Sequence, residues 1–416
     1  MKVPTRVEDL QRFVKSYLTE SIKTLREGYA AIVLSIITDI LAGIFLGRFH
    51  EILRWMPGLI VLIPGAIALR GNIFGSLGSR LGSGIHLGLI DKFELRNSFV
   101  IENVKATLYL TILFSILLGA ISSFLCKFVK IECIGIEYFV VISLFGGLIS
   151  GIIMLVLTFL IAFVSSSKGY DPDNVTTPLI TALGDFFTVP SIIVSAILVG
   201  NLIKFNPILI EVLWYIVILV FIGNIMYVIL REGRNVWRIV CESSAVLVLC
   251  SFLGSISGIL IEYNLSKFLL LPSLLVMIPA FLEEGGNIGS ILASRLSSRL
   301  HLGLIEPEFK LDKNLVMELI SSFILCFCVF PLVGIMNFIS SKLTNLQTLN
   351  LIDTILLTTI SGVILTIIIS LITVLLSFIS YRRGYDPDNI LIPIVTSTAD
   401  ILGIMILIFT FDFLFL

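Results

Sequence analysis

The sequence predicts an all-α integral membrane protein with about eleven transmembrane helices. They are expected as two parallel five-helix repeats joined by a linker helix, with a pseudo-two-fold axis along the membrane normal. Two observations predict this. The 416-residue chain is 57% hydrophobic and only 14% charged, with a mean hydropathy of +1.07, far more apolar than a soluble domain. It also repeats itself. Residues 71–90 and 286–305 agree at thirteen of twenty positions, and residues 169–185 and 384–400 at nine of seventeen, both at an offset of 215. One register shared by two motifs about a hundred residues apart marks a duplicated, ungapped unit.

The elements follow in order. Residues 1–27 carry Leu10, Phe13, Val14, Tyr17 and Leu18 at helical spacing among Arg12, Lys15 and Lys23. They read either as an amphipathic helix on the cytoplasmic membrane surface or as a short leader into the first span. No short apolar stretch with a small-residue cleavage site precedes them, so a cleavable signal peptide is not expected. Apolar runs long enough to cross a hydrocarbon core of ~30 Å fall near 29–47, 52–69, 99–126, 137–165 and 175–200. They recur near 241–262, 267–283, 315–341, 351–380 and 390–415, and an unrepeated run lies near 207–230. The predicted organisation is therefore a first repeat over 28–201, a linker helix within 202–231 and a second repeat over 232–416.

The unrepeated run has a geometric purpose. Five crossings leave the chain on the far side of the membrane, and one more restores the starting side, so the halves should be parallel rather than inverted. With the N-terminus cytoplasmic and the C-terminus outside, twenty of the twenty-eight basic residues fall on the inner side, as the positive-inside rule requires. That count places Arg70, Arg80, Arg295 and Arg299 at the inner interface, with Arg80 and Arg295 anchoring to lipid headgroups. A cell-membrane location is expected, and the net charge of −1 gives no reason to expect nucleic-acid binding. The six cysteines lack the spacing of a zinc site or a disulfide framework and read as small hydrophobes.

Asp185 and Asp400 carry the most information. Each sits inside a long apolar helix at the same place in its repeat, roughly 16 Å from the helix start at ~1.5 Å per residue, near the bilayer midplane. A carboxylate there costs ~2.5–3.5 kcal/mol even on the permissive insertion scale, so a polar cavity and a function are expected. Thr177, Thr181, Asp185, Thr188, Ser191 and Ser195 recur three or four residues apart and form one polar stripe, which reads as a water-lined face or as a helix contact. Asp171 and Asp386 stand in the Tyr-Asp-Pro-Asp-Asn segments preceding these helices. They suit N-capping and offer carboxylates that would gather cations at an inner mouth. Asn72 and Asn287 follow glycines near the end of the second span of each repeat. A Gly-Asn there either breaks a helix and turns oxygens toward an ion or simply caps it. Asp39, Glu283 and Glu284 occur in one half only, their partners at the 215-residue offset being Gly254, Ala68 and Leu69. They are candidate accessory or coupling-ion residues.

The Gly-Asn segment with its following Ser-Arg, and the Asp-Pro-Asp-Asn segment leading to Pro, Thr and Asp, resemble the MgtE superfamily of magnesium transporters. The likeness is to its two-repeat branch, the carriers of solute carrier family 41 and their prokaryotic relatives, and covers residues 28–201 and 232–416. The resemblance implies transport of Mg²⁺ or a related divalent cation between the two repeats. It also implies that Asp185 and Asp400 hold the hydrated ion with backbone carbonyls one turn earlier, at Thr181 and Thr396. The large cytosolic sensing region of bacterial members is not expected here.

Mg²⁺ dehydrates reluctantly, so a few oxygens acting partly through water suit it, and no Cys or His cluster invites a softer metal. No cofactor beyond the transported ion is expected. Flow is expected to be channel-like or coupled to Na⁺ or H⁺, through a functional monomer in the bilayer. The rival reading is an intramembrane aspartyl protease, because Tyr170-Asp171 and Gly184-Asp185 echo YD and GxGD motifs. It fails because position 182 is Ala and the two aspartates lie fourteen residues apart on one cap-and-helix unit.

Overall fold

The computed structural model describes residues 32–86, 89–90, 97–167, 172–307, 312–383 and 387–415, without the side chains of 86, 165–167, 172–178 and 387–390. The segment 1–27 and the carboxylates of Asp171 and Asp386 lie outside what is described. Among the described residues the protein is all helical, with no strand.

The helices are α1 (32–48), α2 (His50–Trp55), α3 (Leu62–His86), α4 (Ser98–Val129), α5 (Ile136–Ser167), α6 (Pro172–Phe205), α7 (Ile208–Arg231), α8 (Arg234–Tyr263), α9 (Leu265–Leu270), α10 (Ser273–His301), α11 (Lys313–Leu343), α12 (Leu351–Arg382) and α13 (Pro387–Phe415). Among the described residues nine contain segments long and apolar enough to cross a membrane: α3 to α8 and α11 to α13. The other two predicted spans correspond to α1, of which 17 residues are described, and to α10, which carries Glu283, Glu284, Arg295 and Arg299. The protein is thus a multi-pass, all-α membrane protein.

The second span of each repeat is shifted from its predicted place. The runs at 52–69 and 267–283 are each divided between a short helix, α2 or α9, and the beginning of a long one, α3 or α10. Both long helices pass through the Gly-Asn pairs without a break, so neither the break nor the cap occurs. The glycines serve close approach instead. A Cβ on Gly71 would lie 3.3 Å from Thr181 Cγ2, and one on Gly286 would lie 3.4 Å from Thr396, which brings α6 and α13 tight against the centres of α3 and α10.

The first helix of each sequence repeat packs across the molecule. A Cβ on Gly258 of α8 would stand 2.6 Å from the Cα and carbonyl oxygen of Val61, and one on Gly254 would stand 2.5 Å from Gly65 Cα. Only glycine lets these backbones meet. The same contact recurs 215 residues away, where Gly43 of α1 abuts the backbone of Val276. So α8 lies on α3, and on α4 through Ser122 and Ser255, whose hydroxyls are 2.9 Å apart. It reaches α13 as well, where Ser257 donates to the Asp400 carbonyl at 3.3 Å. In turn α1 lies on α10 and meets α6 at Phe45 and Phe186, ring centroids 6.3 Å apart.

Helix α7 stands at the periphery. Only Ile210, Val217, Asn224 and Val228 are buried, while Tyr215, Leu219 and Leu230 are well exposed, as a lipid-facing helix requires. Its junction with α8 is tied to α4, where Lys105 Nζ lies 3.1 Å from Glu232, Tyr109 donates to Glu232 at 2.7 Å and Asn235 donates to Glu102 at 3.0 Å.

Candidate functional site

A cavity of about 1260 Å³ runs between α1, α3, α6, α10 and α13. Its lining repeats the 215-residue offset: Pro64 with Pro279, Gly71 with Gly286, Asn72 with Asn287, Ser79 with Ser294, Thr181 with Thr396, and Asp185 with Asp400. All six residues singled out as ion ligands therefore face one space, although they come from four helices spread over more than 300 residues of chain.

Asp185 is 1% exposed, and its Oδ1 has no hydrogen-bond partner among the described residues. It lies within electrostatic reach of Asp400 and Glu283. Asn72 spends its amide nitrogen on the Ala68 carbonyl at 2.8 Å and on Cys250 Sγ at 3.5 Å, so its amide oxygen is the atom left to offer the cavity. Asn287 donates to Glu284 Oε2 at 3.4 Å. The Thr396 hydroxyl donates to the Ile392 and Pro393 carbonyls at 3.0 and 3.2 Å.

The acids found in one half only gather beside the same cavity. Glu283 lines it. Glu284 is 1% exposed with Oε1 unpartnered, and Asp39 is fully buried with Oδ1 unpartnered. Ser35, which lines the cavity, donates to Asp39 Oδ2 at 3.1 Å. Among the described residues, none of these five carboxylates forms an ion pair. Among the described residues, no three Asp, Glu, His or Cys groups converge closely enough to enclose a bare metal. Gathering five acids here, of which Asp39, Asp185 and Glu284 are buried, without cationic partners is costly unless a mobile cation meets them. A roomy cavity with scattered oxygens suits a cation that retains its water.

Part of the polar stripe on α6 does not join this lining. Thr188, Ser191 and Ser195 are buried away from the cavity, and each hydroxyl donates to the carbonyl one turn earlier, at 2.6, 2.7 and 2.7 Å. Such back-bonding satisfies a hydroxyl without water. Among the stripe residues whose side chains are described, Thr181 and Asp185 face the cavity, and the side chain of Thr177 lies outside what is described.

The arginines also differ from expectation. Arg80 donates to Asn103 at 2.7 Å, and Arg295 and Arg299 hold Glu318 at 3.3 and 2.6 Å. They turn into the bundle instead of anchoring to headgroups, because α4 and α11 present acceptors at equivalent places, 103 and 318. Arg70, counted with the inner segment, is only 2% exposed within the bundle. The polar pattern gave no sign of it, since its neighbours Leu69 and Gly71 look like ordinary span residues.

Comparison with known proteins adds an independent line. A family model described as a divalent cation transporter, MgtE, matches residues 63–195 and 278–410, the two stretches that contain the duplicated motifs. The chain is similar to mouse solute carrier family 41 member 3, 24% identical over 397 residues covering 89% of this chain and 78% of the relative. It is also similar to human solute carrier family 41 member 2, 26% identical over 438 residues covering 94% of this chain and 69% of the relative. No solved structure matches it.

Proposed function

The chain belongs to the MgtE family of divalent cation transporters, and on that premise we propose that it carries Mg²⁺ between its two halves, held by Asp185 and Asp400. The family consists of transporters, not enzymes, so the protease reading of the YD and GxGD echoes is set aside. The observation that carries the proposal is the cavity, where paired residues 215 apart converge and buried carboxylates have no cationic partner among the described residues.

In this reading residues 28–201 and 232–416 are parallel repeats, and 202–231 supplies the linker helix that restores orientation, for eleven spans in all. The reciprocal packing of α1 on α10 and α8 on α3 supports a two-fold relation. The N-terminus is cytoplasmic and the C-terminus outside, in the cell membrane. Asp185 and Asp400 supply two negative charges to a dication. The carbonyls at Thr181 and Thr396 and the amide oxygens of Asn72 and Asn287 hold its water shell, which Mg²⁺ gives up reluctantly. Asp39, Glu283 and Glu284 deepen the negative potential on one side and form the accessory region, and Asp171 and Asp386 draw cations to the inner mouth. One chain contains both halves and works as a monomer.

The test is Mg²⁺ entry into liposomes containing the purified protein and a Mg²⁺-sensitive dye. Entry above that of protein-free vesicles is expected. A Mg²⁺ gradient alone suffices for a channel-like path, whereas dependence on an opposing Na⁺ or H⁺ gradient identifies an exchanger. No movement of any divalent cation under any gradient, with folded protein, contradicts the proposal.

A further inference from the structure

The cavity is polar and open at one end and apolar and closed at the other. Along α3 and α10 its lining runs from Ser76 and Ser294, which are exposed, through Asn72 and Asn287, which are half-buried, to Ile63 and Ile278 at the helix starts. Leu46 near the end of α1 and Ile261 near the end of α8 line it as well. The glycine contacts put all four at the same end. A Cβ on Gly47, beside Leu46, would lie 2.8 Å from Val276 Cγ2, and one on Gly258, a turn before Ile261, would lie 2.6 Å from Val61. Val61 and Val276 stand two residues before Ile63 and Ile278.

These four residues form two pairs at the 215-residue offset, Leu46 with Ile261 and Ile63 with Ile278. They line a cavity and yet are only 2, 1, 3 and 3% exposed in that order. The apolar packing continues beyond them, since Leu59 to Leu62 and Leu274 to Met277 are all buried. The distance from Ile63 to Asn72 along α3 is roughly 13 Å, so the aliphatic end is separate from the oxygens that line the middle. A cation that keeps its water has nothing to exchange that water for among aliphatic side chains, and a hydrophobic constriction stops ions by excluding water.

We propose that Leu46, Ile63, Ile261 and Ile278 form an aliphatic gate that shuts the outer end of the cation path and must part for an ion to cross. The inference rests on the reading of this cavity as the Mg²⁺ path. The chain is then captured open to the inner side, where Ser76 and Ser294 meet solvent. Leu46 and Ile261 ride on the two helices that cross from one repeat onto the other, so a shift of α1 over α10 and of α8 over α3 opens both pairs together.

The experiment places a cysteine at Ala68, which lines the cavity between the gate and Asn72. Intact cells are treated with a membrane-impermeant methanethiosulfonate, and modification of that peptide is read by mass spectrometry. With the native gate, Ala68→Cys should be modified only after the cells are opened. With Leu46→Asn and Ile261→Asn together it should be modified from outside as well, and in liposomes the same pair should raise the initial Mg²⁺ flux several-fold. Ile63→Thr with Ile278→Thr changes the shape less and carries the test where the asparagines do not fold. Polar groups placed in a merely structural core lower flux, so a gain separates a gate from packing. The proposal is overturned if Ala68→Cys is modified in intact cells with the native gate, or if the folded polar pairs leave its modification unchanged and do not raise flux. If the wild type moves no Mg²⁺ while the sidedness of modification holds, the Mg²⁺ reading falls and the closed outer end stands.

Discussion

Gly258→Ala tests the seam between α8 and α3. The added Cβ would stand 2.6 Å from Val61 Cα and O and 2.9 Å from Val61 C. Carbon pairs settle at about 3.5–4.0 Å, so the two helices must part by about 1 Å. All three atoms are backbone, so no rotamer change relieves the clash, and the Gly254 contact with Gly65 on the same seam opens as well. Overpacking of this kind costs about 1–3 kcal/mol, against a gain of up to ~1 kcal/mol for replacing a helical glycine. A net loss of about 1–2 kcal/mol is expected in a denaturant titration of the protein in micelles. Gly223 on α7 has nothing within 4 Å, and Gly223→Ala should raise stability by up to ~1 kcal/mol in the same titration. Gly258→Ala as stable as the wild type would refute the reasoning. So would rescue of its stability by Val61→Ala, because the structure puts the clash on the backbone.

Glu318→Gln should destabilise the protein by at most about 3–5 kcal/mol, the cost of breaking a fully buried pair, because Glu318 is 3% exposed while solvent still reaches the stranded Arg295 and Arg299, 30% and 25% exposed. Asn103→Ala beside Arg80 should cost about 1–3 kcal/mol, and equal effects in the same titration would contradict the different chemistry of the two sites. Glu232 gives a pH dependence. Burial pushes its carboxyl up, but hydrogen bonds from Tyr109 and Lys105 and the lysine charge outweigh this and hold it below its ordinary 4.5. The unfolded chain therefore takes up the proton first, and the stabilisation is present above the ordinary value and lost as pH falls through the folded one. Between about pH 5 and 3 the wild type should lose more stability than Glu232→Gln, and parallel loss would show that the junction contributes nothing.

Much of the fold is legible because a duplicated register and long apolar runs are strong signals. The helices α4, α5, α6, α11, α12 and α13 lie close to where the apolar runs place them. The second spans moved because hydropathy marks where apolar residues are, not where a helix starts, and the α2–α3 and α9–α10 corners divide each run. At Gly71 and Gly286 the local rule for helix ends lost to tertiary packing, which needs those glycines for the approach of Thr181 and Thr396. Asp185 and Asp400 stand out in the sequence as candidate site residues because a carboxylate inside an apolar helix has few structural excuses, and the structure brings both to one cavity. Arg70 was missed because one cation at the edge of an apolar run looks like an interfacial residue. Its burial emerges only once α3 is seen to continue for four more turns. The fates of Arg80 and Arg295 depended on Asn103 and Glu318, 23 residues away in sequence, and no local pattern links them.

The central claim is that Asp185 and Asp400 hold one ion together, and a double-mutant cycle on Mg²⁺ flux tests it most directly. Wild type, Asp185→Asn, Asp400→Asn and the double variant are reconstituted at equal density and compared by initial rate of dye response. Residues acting as one site are strongly non-additive, so each single substitution should abolish flux to nearly the extent the pair does. Independent, multiplying losses, or a single variant that transports at the wild-type rate, would contradict a shared site.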